Sequence, residues 1–336
     1  MNIARSVSDL IGDTSLLQVP TGDSNRPLFL KMEMENPSLS MKDRMALSMI
    51  VDAERNGRLK PGGVIIESSS GNTATALAML AASRGYRFIA VVDGQISAEK
   101  EAALKAFGAQ LHYVDGGSED RAAPQRRRDF AAALTKEIPH SIYLNQADNA
   151  ANPEGYRPLA REIASAITDV RCLIGAIGTG GSLCGTARAL KESIPDVRVV
   201  AVEPKGSTIF EENGGRFFQT GTGRTLGTRM PCNIDKDVID EHCTVTDREA
   251  FNAARFFAGR MGILLGGSAA GVAYKALERL HVQHGLPGAT VALMPDSGEK
   301  YLATIFNDAW MEKHDLFDPA IAEKIQLLLK EHRSID

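Results

Sequence analysis

The stretch GGVIIESSSGNTATALAMLAASRGYRFIAVVD, residues 62–93, contains the alternation that decides the fold. Residues 62–68 form a short apolar run rich in β-branched side chains, which predicts a buried strand, and residues 86–93 predict a second one. Between them, residues 73–84 show the spacing of apolar side chains that is typical of a helix. A helix that connects two buried strands predicts one unit of a parallel α/β sheet.

The same alternation continues along the rest of the chain. Further strands are predicted at 109–115, 172–178, 197–204 and 289–296, and further helices at 98–107, 182–193, 248–261 and 270–284. The strands fall into two groups, one before about residue 115 and one after about residue 170. We therefore expect two α/β lobes, each a parallel sheet covered by helices on both faces, with a cleft between them.

Composition narrows the class of protein. The 336 residues carry a formal net charge of -4, so the chain lacks the basic excess of a protein that binds nucleic acid or a membrane surface. It has no signal-peptide core and no apolar run near the roughly 18 residues that span a bilayer, which predicts a cytoplasmic protein. The cysteines at 172, 184, 232 and 243 show no CxxC spacing. This pattern favours reduced thiols and predicts no metal site.

Three of the predicted strands end in polar loops. The loops are SSSGNT at 68–73, GTGGS at 178–182 and PDSG at 295–298. Because the carboxyl ends of parallel strands border the ligand crevice, we expect the three loops to converge on one site.

The loop at 178–182 suits a phosphate group. Gly178, Gly180 and Gly181 allow a tight turn whose N–H groups can point at one anion, and the helix that starts near Ser182 adds its positive end. Glycine also occurs at strand-to-helix turns for close packing alone, and for this loop by itself that alternative stays open. The loop lacks the third glycine of GxGxxG and the chain has no GK[ST], which disfavours a dinucleotide or ATP.

Two other segments supply the remaining parts of a site. The hydroxyl and N–H groups at 68–73 suit a small carboxylate, although serine and asparagine also cap ordinary helices. Upstream, Lys42 falls in the first turn of a predicted helix, on the same face as Ala46, Met49 and Ala53. Most helix lysines are solvated, but burial and the positive helix end would both lower the pKa of this amine and make it a nucleophile for carbonyl groups. A phosphate site, a carboxylate site and an activated lysine together predict pyridoxal 5'-phosphate bound as a Schiff base.

Four motifs give the sequence a family resemblance. They are SMKDR at 40–44, SSSGNTA at 68–74, GTGGSLCG at 178–185 and PDSGEKYL at 295–302. Their order and approximate spacing resemble those of the cysteine synthase and cystathionine β-synthase family, the fold-type II pyridoxal phosphate enzymes. The resemblance covers about residues 8–310.

The resemblance implies an α/β fold like that of the tryptophan synthase β-subunit, with two three-layer αβα lobes and the cofactor in the cleft. We expect a smaller lobe over 40–150, a larger lobe over 8–39 plus 151–315, and a helical tail over 316–336. A homodimer is also implied.

Individual residues take roles through the same resemblance. Lys42 would form the internal aldimine and act as general base, Asn72 would contact the phenolic oxygen, and Ser297, rather than the neighbouring Asp296, would meet the pyridine nitrogen. The residues expected to hold the phosphate are Gly178, Thr179, Gly180, Gly181 and Ser182. Those expected to bind the substrate α-carboxylate are Ser69, Ser70, Gly71 and Thr73.

The implied reaction is a β-replacement on O-phospho- or O-acetyl-L-serine through an α-aminoacrylate. Residues 91–97, Arg229 and residues 306–314 resemble the N-(2-amino-2-carboxyethyl)-L-glutamate synthase branch, which uses the amine of L-glutamate to make a 2,3-diaminopropionate precursor. The intact GTGGS loop resembles that of the cysteine synthases, which use sulfide as the nucleophile. A cysteine synthase reaction is therefore the alternative, or a related reaction with a thiol, as in cystathionine β-synthase. We expect an amino-acid amine such as L-glutamate. A non-catalytic binding protein is a further alternative, which Lys42 disfavours.

Arginines could hold the carboxylate of such an amine. Besides Arg229, the candidates lie in the run RAAPQRRRDF, at Arg121, Arg126, Arg127 and Arg128. Guanidinium groups bind carboxylates and phosphates through paired hydrogen bonds. A charge run on a helix is more often a solvated face, and that alternative stays open.

Overall fold

Two β-sheets organise the chain, one of four strands and one of six. The computed structural model describes residues 3–21, 23–94, 96–116, 123–282 and 287–331, with the backbone only at 282, 330 and 331. The strands are β1 (Leu16–Val19), β2 (Leu28–Lys31), β3 (Val64–Ser68), β4 (Arg87–Asp93), β5 (Gln110–Val114), β6 (Ser141–Tyr143), β7 (Val170–Ala176), β8 (Arg198–Pro204), β9 (Glu241–Val245) and β10 (Ala289–Leu293).

Helices separate most of these strands. They are α1 (Lys42–Arg55), α2 (Asn72–Arg84), α3 (Ala98–Ala106), α4 (Ala123–Glu137), α5 (Ala151–Glu154), α6 (Arg157–Ala166), α7 (Gly181–Ser193), α8 (Asp247–Met261), α9 (Gly267–Val282), α10 (Asp308–Lys313) and α11 (Pro319–Glu331). No helix within the described ranges is both long enough and apolar enough to cross a membrane.

The smaller sheet has the strand order β5-β4-β3-β6, and all its pairs are parallel. Its buried side chains alternate between two faces, as the period of a strand requires. Ile65 and Ala90 pack in one core with α1 and α2, whereas Ile66 and Val91 pack in another with α4. The sheet is therefore covered on both faces, as predicted.

The larger sheet has the order β1-β2-β10-β7-β8-β9. Leu173 and Val199 face a core shared with α6 and α7, and Ile174 and Val200 face a core shared with α8 and α9. One pair departs from the predicted parallel sheet, because β1 runs antiparallel to β2 at the edge. The two strands are joined by a short connection, which an antiparallel pair permits and a parallel pair does not.

The two-lobe α/β fold predicted from the sequence is confirmed, and each of the six predicted strands is present. The smaller sheet uses residues from 64 to 143, and the larger sheet uses residues 16–31 together with 170–293. The boundaries proposed for the lobes and for the tail stay a prediction. All four cysteines are free thiols; Cys172 and Cys184 are buried and Cys232 is exposed.

Candidate active site

A cavity of ≈ 350 Å³ lies at the carboxyl ends of β3 and β7, so it draws on both sheets. Its lining includes Lys42, residues 68–73, Gly178 and Thr179. The predicted convergence of the first two loops therefore occurs. The third loop contributes through residues just beyond it, Lys300 and Tyr301.

The loop at 68–73 presents an open helix end to this cavity. Helix α2 follows Gly71, and no side chain caps its first N–H groups. Thr73 donates a hydrogen bond from Oγ1 to Gln146 Oε1 at 2.7 Å, and the Ser69 Oγ accepts one from the Gly71 N–H at 3.2 Å. Uncapped N–H groups at a helix start are available to an anion, which is the condition for the predicted carboxylate site. Ser70 lines the cavity beside them.

The loop at 178–182 also ends at an uncapped helix. Gly180 precedes α7 with a φ of 86°, a conformation that glycine adopts without strain. A Cβ at Gly180 would lie 2.5 Å from the Asn233 carbonyl oxygen, and a Cβ at Gly181 would collide with the Asn152 side chain. Close packing and an uncapped helix start are therefore combined in one loop, with Ser182 in the first turn of α7.

Lys42 is the first residue of α1 and reaches the cavity. Burial lowers the pKa of its amine, and the carboxylate of Asp296 opposes this shift. Desolvation disfavours the ammonium form, so a larger fraction of the amine is neutral than for a solvated lysine. A neutral amine is the form that attacks a carbonyl carbon.

A hydrogen-bonded cluster lies at the inner end of the cavity. Asn72 donates from Nδ2 to Asp296 Oδ2 at 2.7 Å, and Tyr301 donates its hydroxyl to the same oxygen at 2.6 Å. Lys300 donates from Nζ to Asn72 Oδ1 at 2.7 Å and to the Ser38 carbonyl at 2.8 Å. The other carboxylate oxygen of Asp296, Oδ1, is buried and has no hydrogen-bond partner within the described structure. This oxygen faces Gly266, and Asp296 itself is not among the residues that line the cavity.

Of the neighbours Asp296 and Ser297, it is Asp296 that joins this cluster. Ser297 accepts a hydrogen bond at Oγ from the Glu299 N–H at 3.3 Å, which caps the short 3₁₀ helix Gly298–Tyr301. The role of Ser297 toward a pyridine nitrogen stays a prediction, to which this hydrogen bond adds no support.

The predicted arginines separate into two groups. Arg127 and Arg128 line the cavity. Arg126 is exposed and donates to the Asp115 carbonyl at 2.9 Å, and Arg229 forms an ion pair with Asp148. The structure does not bring Arg126 or Arg229 to the cavity. Arg121 lies outside the described residues.

Several lining residues were not predicted from the sequence. Gln146 holds Thr73 as described above, and Lys100 lines the cavity from the start of α3. Residues 220–225 form the facing wall, where Gly223 donates its N–H to the Ile177 carbonyl at 2.7 Å. The alternation TGTG at 220–223 was the available signal for this wall.

The start of α9 was also missed. A Cβ at Gly266 would collide with Asp296 Oδ1, so this segment packs against the Asp296 side chain of the hydrogen-bonded cluster, and Ser268 is buried within it. The signal was present, since Gly-Gly-Ser at 266–268 repeats the order of residues at 180–182.

Comparisons with known proteins agree with this geometry. Residues 7–296 match the family described as "Pyridoxal-phosphate dependent enzyme". A "Putative cysteine synthase" from Sinorhizobium fredii is 45% identical over 322 residues, which are 95% of this chain and 96% of the relative. A "Probable cysteine synthase" from Bacillus subtilis is 39% identical over 92% of this chain and 99% of its own length. The solved structure of "O-ureido-L-serine synthase" has a TM-score of 0.83 and 32% identity, and the match covers 93% of this chain and 100% of that chain.

Proposed function

The chain belongs to the family of pyridoxal-phosphate dependent enzymes, and from that membership we propose that it joins an O-activated L-serine to an anionic amine. Its cofactor is pyridoxal 5'-phosphate, and its family includes the cysteine synthases, which carry out β-replacement. The proposed first substrate is O-phospho- or O-acetyl-L-serine. The proposed second substrate is an amino acid such as L-glutamate, which would give a precursor of 2,3-diaminopropionate.

The residues at the cavity fit the cofactor. The Lys42 amine would bind its aldehyde carbon, the loop at 178–182 with the uncapped start of α7 would hold its phosphate, and the Asn72 amide, which lines the cavity, would meet its ring oxygen. When bound, pyridoxal phosphate supplies an electron sink for the substrate α-carbon.

The other steps belong to side chains of this chain. Lys42, whose pKa is lowered by burial, accepts the α-proton of the substrate. The N–H groups at the start of α2, together with Ser69, Ser70 and Thr73, bind the α-carboxylate. Loss of the activated oxygen from the β-carbon then makes that carbon the acceptor for the amine nitrogen.

The choice of an anionic second substrate rests on Arg128. Arg128 is half-buried and lines the cavity, and no hydrogen bond or ion pair satisfies its guanidinium within the described structure. Lys100 lines the same cavity, where its ammonium lies over the Tyr301 ring, and burial lowers its pKa. Partly buried cations that lack a hydrogen-bonded carboxylate cost free energy, which a bound carboxylate would offset. Sulfide has no carboxylate to fill that position.

The test compares Arg128→Ala with Arg126→Ala. Both arginines lie on α4, but Arg126 is exposed and outside the cavity. Loss of a charge-assisted hydrogen bond costs about 1.5–3 kcal/mol, so Arg128→Ala should lower kcat/KM for glutamate on the order of ten- to a hundredfold. Arg126→Ala should change it less than about twofold. A single-turnover release of acetate from O-acetyl-L-serine, without any acceptor, should be the same in both variants.

The competing function is that of a cysteine synthase, which the names of the two relatives favour. Its signature is a wild-type kcat/KM for sulfide far above that for glutamate, with no selective effect of Arg128→Ala. If Arg128→Ala instead slows the first half-reaction with O-phospho-L-serine but not with O-acetyl-L-serine, Arg128 binds the leaving phosphate and the proposal for glutamate fails.

A further inference from the structure

Lys300 lies at the cavity, and its ammonium hydrogen-bonds two groups within the described structure. Its two acceptors are Asn72 Oδ1 at 2.7 Å and the Ser38 carbonyl at 2.8 Å. The first belongs to the residue proposed to meet the cofactor ring, and the second lies four positions before Lys42. The Lys300 side chain therefore links the segment that carries Asn72 to the segment that carries Lys42. The cofactor contacts proposed for Asn72 and Lys42 depend on the relative position of these two segments.

The chemistry of the amide makes this contact informative. An asparagine can occupy the same space in two orientations, which exchange its oxygen and nitrogen. An ammonium group can only donate, and a carboxylate can only accept. Asn72 lies between the two, because Lys300 donates to its oxygen and Asp296 accepts from its nitrogen at 2.7 Å. Both neighbours impose the same orientation.

The imposed orientation directs both hydrogens of Asn72 Nδ2 away from Lys300. Asp296 accepts one of them, and the Tyr301 hydroxyl also hydrogen-bonds the Asn72 side chain. Asn72 itself lines the cavity. We infer that Lys300 is a positioning residue for the cofactor: it fixes the Asn72 amide so that Nδ2 is the group that meets the ring oxygen, and it ties that amide to the segment that carries Lys42. This inference rests on the cofactor contact proposed for Asn72.

The segment at 38–43 is itself held firmly, so the tie has a rigid anchor. The Ser38 N–H donates to Asp43 Oδ2 at 2.7 Å, and both residues are buried. Leu39 between Ser38 and Ser40 has a φ of 58°, which a non-glycine residue holds only where its surroundings fix it. Removing Lys300 therefore frees Asn72 more than it frees residues 38–43.

The experiment measures the apparent Kd of pyridoxal phosphate from visible absorbance, with no amino-acid substrate present. Lys300→Met should raise this Kd about tenfold and shift the absorption maximum of the bound cofactor, because Asn72 loses one of the two hydrogen bonds that fix its orientation and its link to the Ser38 carbonyl. Lys300→Arg keeps a donor-only cation and should stay within about threefold of wild type. Lys300→Gln can both donate and accept, so it should fall between the two.

A double-mutant cycle separates positioning from stability. In an Asn72→Ala background, Lys300→Met should raise the Kd less than about twofold, because the residue through which it acts is gone. Lys100→Met is the matched control, since it removes a positive charge from the same cavity without a hydrogen bond to Asn72, and it should show no coupling to Asn72→Ala.

Three outcomes overturn the inference. The first is a Lys300→Met effect of equal size in both backgrounds, and the second is the same loss from Lys100→Met, which would mean that only net charge matters. The third is an Asn72→Ala variant with unchanged Kd and absorbance. Because neither substrate is present, all three leave the identity of the acceptor untouched. If Lys300→Met fails to fold, Lys300→Gln and Lys300→Arg carry the same comparison.

Discussion

Glu67 has a strongly raised pKa next to the proposed substrate loop. It lies near the end of β3, directly before the loop at 68–73, and it is only 1% exposed. Burial raises its pKa to about 7, although the N–H groups of Gln146 and Ser68 and the charge of Arg128 oppose the shift. The carboxyl group of Glu67 therefore gains its charge near pH 7, at a position next to the proposed substrate loop.

The raised pKa predicts a dependence of stability on pH. Between the ordinary pKa of 4.5 and the folded value of about 7, the folded protein holds a proton that the unfolded chain releases. Stability should therefore fall as pH rises through this window, by up to about 3 kcal/mol. Urea unfolding at pH 5 and pH 8 measures this loss, which Glu67→Gln should reduce. An equal loss in wild type and in Glu67→Gln, with exposed Glu192→Gln as the control, would contradict the assignment.

Lys42 carries the second prediction at this scale. Lys42→Ala should fold normally and bind pyridoxal phosphate reversibly, but borohydride treatment should leave no covalent adduct on the protein, because no other amine is expected to form the imine. Lys100 offers a matched control, since it also lines the cavity with a pKa lowered by burial. Lys100→Ala should keep the adduct. Mass spectrometry that finds the cofactor attached in Lys42→Ala would assign the imine to another lysine.

Sequence reasoning placed whole loops at the cavity better than it placed single side chains. It brought the loops at 68–73 and 178–182 together because both follow the carboxyl ends of strands, and it added Lys42 from its helix pattern and the family resemblance. It chose Ser297 over Asp296 for the ring nitrogen, a choice that stays a prediction, whereas the structure places Asp296 in the hydrogen-bonded cluster with Asn72. Sequence reasoning also could not separate Arg126 from Arg128. The two residues lie on different faces of α4, and the bounds of this helix were not predicted.

At the scale of elements, the strands that were missed have a common cause. Strands β1, β2, β6 and β9 have three to five residues each. Such short runs lack the length over which a hydrophobic period can be recognised. Two of them, β1 and β9, are the edge strands of the larger sheet. Helix α4 was not predicted for a different reason. Only Ala123, Ala131 and Leu134 of its fifteen residues are buried, so its sequence shows little hydrophobic periodicity.

The junction of β7 and α7 supports a prediction about the phosphate loop. Gly181→Ala would place a methyl group against Asn152, which is fully buried, so the start of α7 must shift. We expect a loss of about 1–3 kcal/mol in unfolding free energy, together with a weaker apparent Kd for pyridoxal phosphate. The measurements are urea unfolding and cofactor titration.

Gly259→Ala provides the control for this substitution. Gly259 lies in α8, where a Cβ would meet nothing within 4 Å, so alanine should stabilise the helix by about 0.5–1 kcal/mol and leave the cofactor Kd unchanged. If Gly181→Ala behaved like Gly259→Ala, the close approach to Asn152 would have no part in forming the phosphate site.

At the scale of the whole molecule, a buried ion-pair network ties the smaller sheet's first helix to the larger sheet. Arg44, two residues after Lys42 in α1, bonds Glu33 at 2.6 Å and Glu162 of α6 at 2.7 Å. Lys31 at the end of β2 bonds Glu162 at 2.7 Å. These charges are paired and hydrogen-bonded, which is the condition for tolerating them in the interior. The first turn of α1, which carries Lys42, is thereby fixed relative to the larger sheet.

Because the cavity draws on both sheets, cofactor binding should stabilise both of them. Pyridoxal phosphate binds only the folded protein, so its binding free energy adds to stability, by about 4 kcal/mol at a thousandfold excess over Kd. Hydrogen exchange should slow in peptides covering residues 68–75 and residues 178–185, which hold the uncapped starts of α2 and α7. Helix α11, at residues 319–331, does not line the cavity and should be unchanged. Protection confined to one of the two loops would mean that the cofactor is held by a single lobe, and the site built between β3 and β7 would have to be abandoned.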